Sequence, residues 1–168
     1  MPKLGKLRSL IRRRALFVAA AAGALALSFS AAGPASAYGN NENAFSNDNT
    51  GRCMDFTVSG GLRGWSCNGT AAQGFMTIDQ AHSGAQWFSF KSSFAVGCLD
   101  DSQQYGLRVW TCNNQSYQNW RLIFHGATGY DVTLINENTG RCIDDSSAYG
   151  LRSFPCNGMN YQNFTMRF

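Results

Sequence analysis

Three aspartates of this 168-residue chain recur in one setting. Asp55, Asp100 and Asp144 each follow a cysteine by two positions and precede an aromatic residue by ten, at Trp65, Trp110 and Phe154. Two places before each aromatic stands an arginine, Arg63, Arg108 or Arg152, always in the phrase Gly-Leu-Arg. A carboxylate beside an aromatic face suits a sugar. The ring covers the apolar C–H face of a pyranose, and an ionised acceptor makes the stronger, charge-assisted hydrogen bonds to hydroxyls. A duller reading stands beside it: Gly-Leu-Arg is hairpin chemistry, with the arginine in a surface ion pair of small worth.

The cysteines set the frame for these residues. Cys53–Cys67, Cys98–Cys112 and Cys142–Cys156 are each 14 positions apart, and the pairs step along the chain by 45 and 44 residues. Zinc sites put two ligands a few residues apart, so this is no zinc pattern, and no metal or cofactor is expected. Six cysteines admit fifteen pairings; one bond inside each repeat is the economical one. If the two cysteines face each other across an antiparallel hairpin, Asp55, Asp100 and Asp144 fall opposite Trp65, Trp110 and Phe154. Thr57, Ser102 and Ser146 then fall opposite the arginines. Side chains two apart share a face, so carboxylate, guanidinium and ring share one surface. The aspartates are expected at the surface, where replacement leaves folding intact. Each repeat closes with Gln-x-aromatic (Gln73/Phe75, Gln118/Trp120, Gln162/Phe164). These pairs are expected in the core, bonded to backbone.

The first 37 residues read as a secretory signal. Six cations and no acid precede the apolar run Ala15 to Phe29, and Ala35-Ser36-Ala37 offers a small-residue cleavage site. The remainder, 38–168, is expected to be one secreted, oxidised domain without a membrane span. It keeps eight cations against ten acids, a net charge near −2, and its arginines stand singly. Nucleic acid is therefore not an expected partner.

Short strand-like runs separated by Gly, Asn, Asp and Ser clusters imply an all-β fold. Three repeats with no spare capping unit must close on one another, which a threefold barrel does and an open solenoid does not. The disulfide-paired repeat with Cys-x-Asp, aromatic-x-Cys and Gln-x-aromatic resembles the ricin-type β-trefoil lectin domain over about residues 40 to 168. The resemblance implies twelve strands, pseudo-threefold symmetry (repeats at about 43–86, 87–130 and 131–168) and up to three shallow sugar pockets. It also implies that the Asp at Cys+2 and the aromatic before the second cysteine contact the sugar. Two departures from that pattern bear on specificity: the segment between the cysteines is several residues shorter than in the better-known members, which trims the pocket wall, and polar residues common in the family are replaced. The family's asparagine before the glutamine is Ala72, Tyr117 or Tyr161 here, and its frequent glutamine is Arg63, Arg108 or Arg152. Galactose specificity does not follow.

The copies are unequal. Repeats two and three carry a second acid (Asp101, Asp145), a hairpin-tip tyrosine (Tyr105, Tyr149) and a tyrosine before the glutamine (Tyr117, Tyr161). Repeat one has Phe56, Gly60 and Ala72 in those places. One lost constellation accounts for this; so does a more recent duplication of repeats two and three. The candidate glycan-binding residues are Asp100, Arg108, Trp110 and Tyr117, and Asp144, Arg152, Phe154 and Tyr161, with a weaker site at Asp55 and Trp65. The expected function is that of a monomeric, non-catalytic lectin that takes a glycan or polysaccharide. A trefoil that docks on a protein partner, as an inhibitor or toxin subunit, is the alternative. A hydrolase is disfavoured: His82 and His125 lie outside the repeated motifs, and adjacent acids such as Asp100 and Asp101 point to opposite strand faces.

Overall fold

A computed structural model describes residues 42–80 and 86–168. The leader at 1–37 and His82 lie outside the described residues. Twelve strands fill this region, four to each repeat. Repeat one holds β1 (Glu42–Asn47), β2 (Arg52–Thr57), β3 (Gly61–Ser66) and β4 (Phe75–Asp79). Repeat two holds β5 (Phe88–Ser92), β6 (Cys98–Ser102), β7 (Gly106–Trp110) and β8 (Trp120–His125). Repeat three holds β9 (Asp131–Asn136), β10 (Arg141–Ser146), β11 (Gly150–Pro155) and β12 (Phe164–Arg167).

The outer strands of the repeats close a six-stranded antiparallel barrel. Its order is β1, β4, β5, β8, β9, β12, and β12 pairs back onto β1. Closure leaves the barrel no free edge. The inner pairs β2–β3, β6–β7 and β10–β11 are hairpins joined to the barrel at Cys53, Cys98 and Cys142. Large apolar residues fill equivalent core positions in each repeat. The barrel gives Phe45, Phe75, Phe90, Trp120, Leu134 and Phe164, and the hairpins give the residue after each first cysteine: Met54, Leu99 and Ile143. Trp120 is fully buried, and its indole N–H donates to the Leu99 carbonyl at 3.0 Å.

The three disulfides are Cys53–Cys67, Cys98–Cys112 and Cys142–Cys156. The hairpin register differs from the expected one by two residues. Cys98, not Asp100, lies opposite Trp110, and Asp100 lies opposite Arg108. Repeats one and three shift alike: Cys53 faces Trp65, Asp55 faces Arg63, Cys142 faces Phe154 and Asp144 faces Arg152. The cause is the second cysteine. Cys67, Cys112 and Cys156 lie beyond the ends of β3, β7 and β11, so each disulfide is diagonal to the ladder. A shift of two keeps side-chain parity, so carboxylate, guanidinium and ring still share one face.

Each hairpin turns through three residues into a glycine at positive φ: Gly61 at 67°, Gly106 at 67° and Gly150 at 71°. Only a residue without Cβ takes that conformation at no steric cost, which fixes the Gly of Gly-Leu-Arg.

Candidate functional site

The repeated aspartates are not at the surface. Asp55, Asp100 and Asp144 are only 2%, 1% and 2% exposed. Each is held from two sides. Arg108 Nε donates to Asp100 Oδ1 at 2.9 Å and Gln118 Nε2 to Oδ2 at 3.3 Å. Arg152 and Gln162 do the same for Asp144 at 3.2 and 3.4 Å. Arg63 and Gln73 do so for Asp55 at 3.0 and 3.4 Å. The expectation that these acids are exposed fails, and with it the ground for expecting folding to survive their loss: removing one takes the acceptor of a guanidinium Nε–H and one of the two acceptors of a buried amide.

The glutamines of Gln-x-aromatic complete the support. Gln118 Nε2 also donates to the Thr111 carbonyl at 2.9 Å, and its Oε1 accepts the Asn113 N–H at 2.9 Å. Gln73 and Gln162 repeat the pattern on Ser66 and Asn68, and on Pro155 and Asn157. Each glutamine is buried, and one side chain thereby ties the end of the hairpin to the acid beneath it.

Above each acid the guanidinium lies against aromatic rings. Arg108 Cζ is 4.4 Å from the Tyr105 ring centre and 4.3 Å from that of Trp110. Arg152 is 4.4 Å from Tyr149 and 4.3 Å from Phe154. Such contacts are worth on the order of 1 kcal/mol each and pin a long side chain in place. Among the described residues Arg63 has only Trp65, at 4.3 Å. A Cβ on Gly60 would lie 2.5 Å from Arg63 Nη1, so this arginine occupies the space beside the residue that replaces the tip tyrosine.

Two clefts result. One of about 480 Å³ is lined by Asp144, Tyr149, Arg152, Phe154, Tyr161 and Asn49, among others. The other, about 430 Å³, is lined by Asp100, Tyr105, Arg108, Trp110, Tyr117 and Asn138, among others. All eight residues expected in repeats two and three therefore line these two clefts. Trp65 is half exposed beside Arg63, over the Asp55 pair.

Asn49 and Asn138 are additions to the expected set, because each belongs to the following repeat. Asn138 opens the Asn-Thr-Gly-Arg of repeat three and lines the repeat-two cleft; Asn49 opens that of repeat one and lines the repeat-three cleft. Behind them, Asn136 Nδ2 donates to the Tyr117 carbonyl and Asn47 Nδ2 to the Tyr161 carbonyl, both at 2.8 Å, which fixes the backbone that carries each cleft tyrosine. In repeat two the corresponding positions are Ser92 and Phe94. The signal is in the sequence, displaced by one repeat from the missing tyrosines.

The second acids serve elsewhere. Asp101 and Asp145 point away from the clefts and across to a neighbouring repeat. Asp101 accepts from Arg141 Nε at 3.1 Å and Nη2 at 2.6 Å, from Ser153 at 2.6 Å and from Thr139. Asp145 accepts from Arg52 Nε at 3.0 Å, from its Nη2 and from Thr50. In the third copy of this arrangement the acid is Phe56, the arginine Gly97 and the threonine Ala95. The loss of the second acid in repeat one is thus matched by losses in repeat two, and is separate from the loss of the tyrosines.

No protein-family profile and no curated protein matches the chain. Solved structures do. A designed 3-fold symmetric protein, ThreeFoil, matches with TM-score 0.65 at 14% identity over 77% of this chain and 99% of that one. A BEL β-trefoil matches with TM-score 0.68 at 9% identity, over 76% and 92%. The hemolytic lectin CEL-III matches with TM-score 0.58 at 19% identity, over 74% of this chain and 29% of the lectin. The likeness is one of fold: the chain is a β-trefoil, with the disulfide-tied, three-repeat build that the sequence resemblance to ricin-type domains implies.

Proposed function

We propose that the protein is a carbohydrate-binding β-trefoil that takes glycans in the clefts of repeats two and three. The observation that carries this reading is the pairing, twice over, of exposed aromatic rings with a dense set of fixed hydrogen-bonding groups. Trp110 and Tyr105 are each more than half exposed, and Phe154 and Tyr149 stand in the equivalent places. Around them lie the Arg, Tyr, Ser and amide side chains of the clefts. That mixture matches a sugar, which has an apolar face and a hydroxyl rim. One fold neighbour, CEL-III, is a hemolytic lectin, which supports the same reading. Among the described residues each cleft has one carboxylate, already paired, where hydrolysis of a glycoside calls for two at a set separation; this supports a binding role without catalysis. The reading includes secretion by way of residues 1–37, and a monomer that gains avidity from two sites.

One stacked ring and a few hydrogen bonds in an open cleft give affinity of roughly millimolar, about −4 kcal/mol. A glycan array with the purified protein and its Trp110→Ala/Phe154→Ala variant tests the proposal. Signals on a defined glycan set, absent in the variant, are expected. A blank array, or one unchanged by the double substitution, would sink the reading and favour a protein partner instead.

A further inference from the structure

The two cleft arginines narrow the class of sugar, on the reading that the clefts bind glycans. Arg108 and Arg152 each give Nε–H to the acid beneath. Among the described residues, none accepts from their terminal Nη groups. Arg52 and Arg141, by contrast, use both Nε and Nη2 on Asp145 and Asp101. The cleft arginines keep 26% and 32% of their side chains exposed, and the flanking rings hold them in one place.

A guanidinium fixed in this way, with its outer N–H groups unfilled, is a preorganised receptor for an oxyanion. The carboxylate behind it does not undo this. Asp100 and Asp144 are buried and both their oxygens already accept, so the cleft meets the cation first. No other acid among the described residues lines either cleft. The remaining polar lining is amide and hydroxyl, such as Gln103, Asn113 and Asn157, which suits the neutral hydroxyls of the same ring.

We propose that these clefts select sugars carrying an oxyanion, either a uronic-acid carboxylate or a sulfate ester. The anion docks on the free edge of Arg108 or Arg152, and the ring lies against the exposed part of Trp110 or Phe154. Bulk attraction would not imitate this, because residues 38–168 carry a net charge near −2.

The test is retention of the purified protein on four immobilised polymers at low salt: polygalacturonate, its carboxyl-reduced neutral form, dextran sulfate and dextran. Retention is expected on an acidic polymer well above its neutral counterpart, and which acidic polymer retains it tells carboxylate from sulfate. Arg108→Gln/Arg152→Gln should lower that retention at least about tenfold, and Arg108→Lys/Arg152→Lys, which keeps the charge but not the fork, should lower it nearly as far. Arg63→Gln breaks the same kind of ion pair at 3.0 Å, in the repeat that lacks both tyrosines, so it matches the structural damage and should leave retention unchanged. Equal retention on neutral and acidic polymers overturns the oxyanion assignment and leaves the glycan reading standing. Retention on neither acidic polymer overturns it too, and with a blank glycan array both readings fall. An Arg63→Gln loss as large as that of the double variants overturns it by showing that the arginines act only through folding.

Discussion

Reduction of the three disulfides should unfold the protein at about 37 °C in the absence of denaturant. Each bond closes a loop between cysteines 14 positions apart, worth about 3 kcal/mol in the chain-entropy account. The loops do not overlap in sequence, so their contributions are close to additive, about 9 kcal/mol in all. A domain of this size is stable by only about 5–15 kcal/mol. The bonds also fasten the ends of β3, β7 and β11, the strands that carry Arg63, Arg108 and Arg152. Near-ultraviolet circular dichroism and a thermal melt, with and without reductant, check this. A reduced chain that melts within a few degrees of the oxidised one would refute it.

Asp101→Ala should cost about 3–5 kcal/mol, and lower the melting temperature by about 10–20 °C, without any residue of either cleft being changed. Asp101 is fully buried and accepts from Arg141, Ser153 and Thr139, all in the next repeat. Removing it takes the counter-charge from a guanidinium that is 22% exposed and keeps only the Ser102 carbonyl, and takes an acceptor from the Ser153 and Thr139 hydroxyls. Asp79→Ala, at an exposed position on β4, should change stability by less than about 0.5 kcal/mol. The chain itself indicates the compensating change. At the seam between repeats one and two the equivalent residues are Phe56, Gly97 and Val109, and a Cβ on Gly97 would lie 2.5 Å from Val109 Cγ1. Well-packed apolar groups often replace a buried ion pair without loss. Asp101→Phe with Arg141→Gly and Ser153→Val should therefore recover a large part of what Asp101→Ala loses. Urea titration of the three proteins decides it, and a triple variant no more stable than Asp101→Ala would show that the two seams are not interchangeable.

The period, the disulfides and the core aromatics are readable from sequence because each is local and stated three times. Gln118 can be assigned to the core and to backbone bonding for the same reason, as can Gln73 and Gln162. The hairpin register is out by two residues because a cysteine pair does not say whether its bond runs straight across the ladder or diagonally; the strand ends decide, and these depend on the whole barrel. The burial of Asp55, Asp100 and Asp144 is not legible either. An acid two places after a cysteine looks solvent-facing until an arginine and a glutamine, eight and eighteen residues on, close over it. The role of Asp101 and Asp145 lies further out of reach, since their arginines are 40 and 93 residues away in the chain. What reads as one lost constellation in repeat one is two independent losses, one in the cleft and one at the seam.

The unlike seams give the ring one plain joint and two latched ones. Asp101–Arg141 latches repeat two to three, and Asp145–Arg52 latches three to one; between one and two the equivalent positions hold Phe56, Gly97 and Val109, which can form no ion pair. A chain divided into two peptides therefore has a preferred place to be divided. Cut in the Gly126–Gly129 turn, the lone third repeat is held to the other two by both latches. Cut within 81–85, the lone first repeat is held by one latch and one plain joint. The pieces 42–127 and 128–168 should complement each other at lower concentration than 42–83 and 84–168, a difference that titration of one fragment into the other, followed by circular dichroism, would read directly. Equal or reversed midpoints would mean that the barrel strands, and not the latches, hold the repeats together.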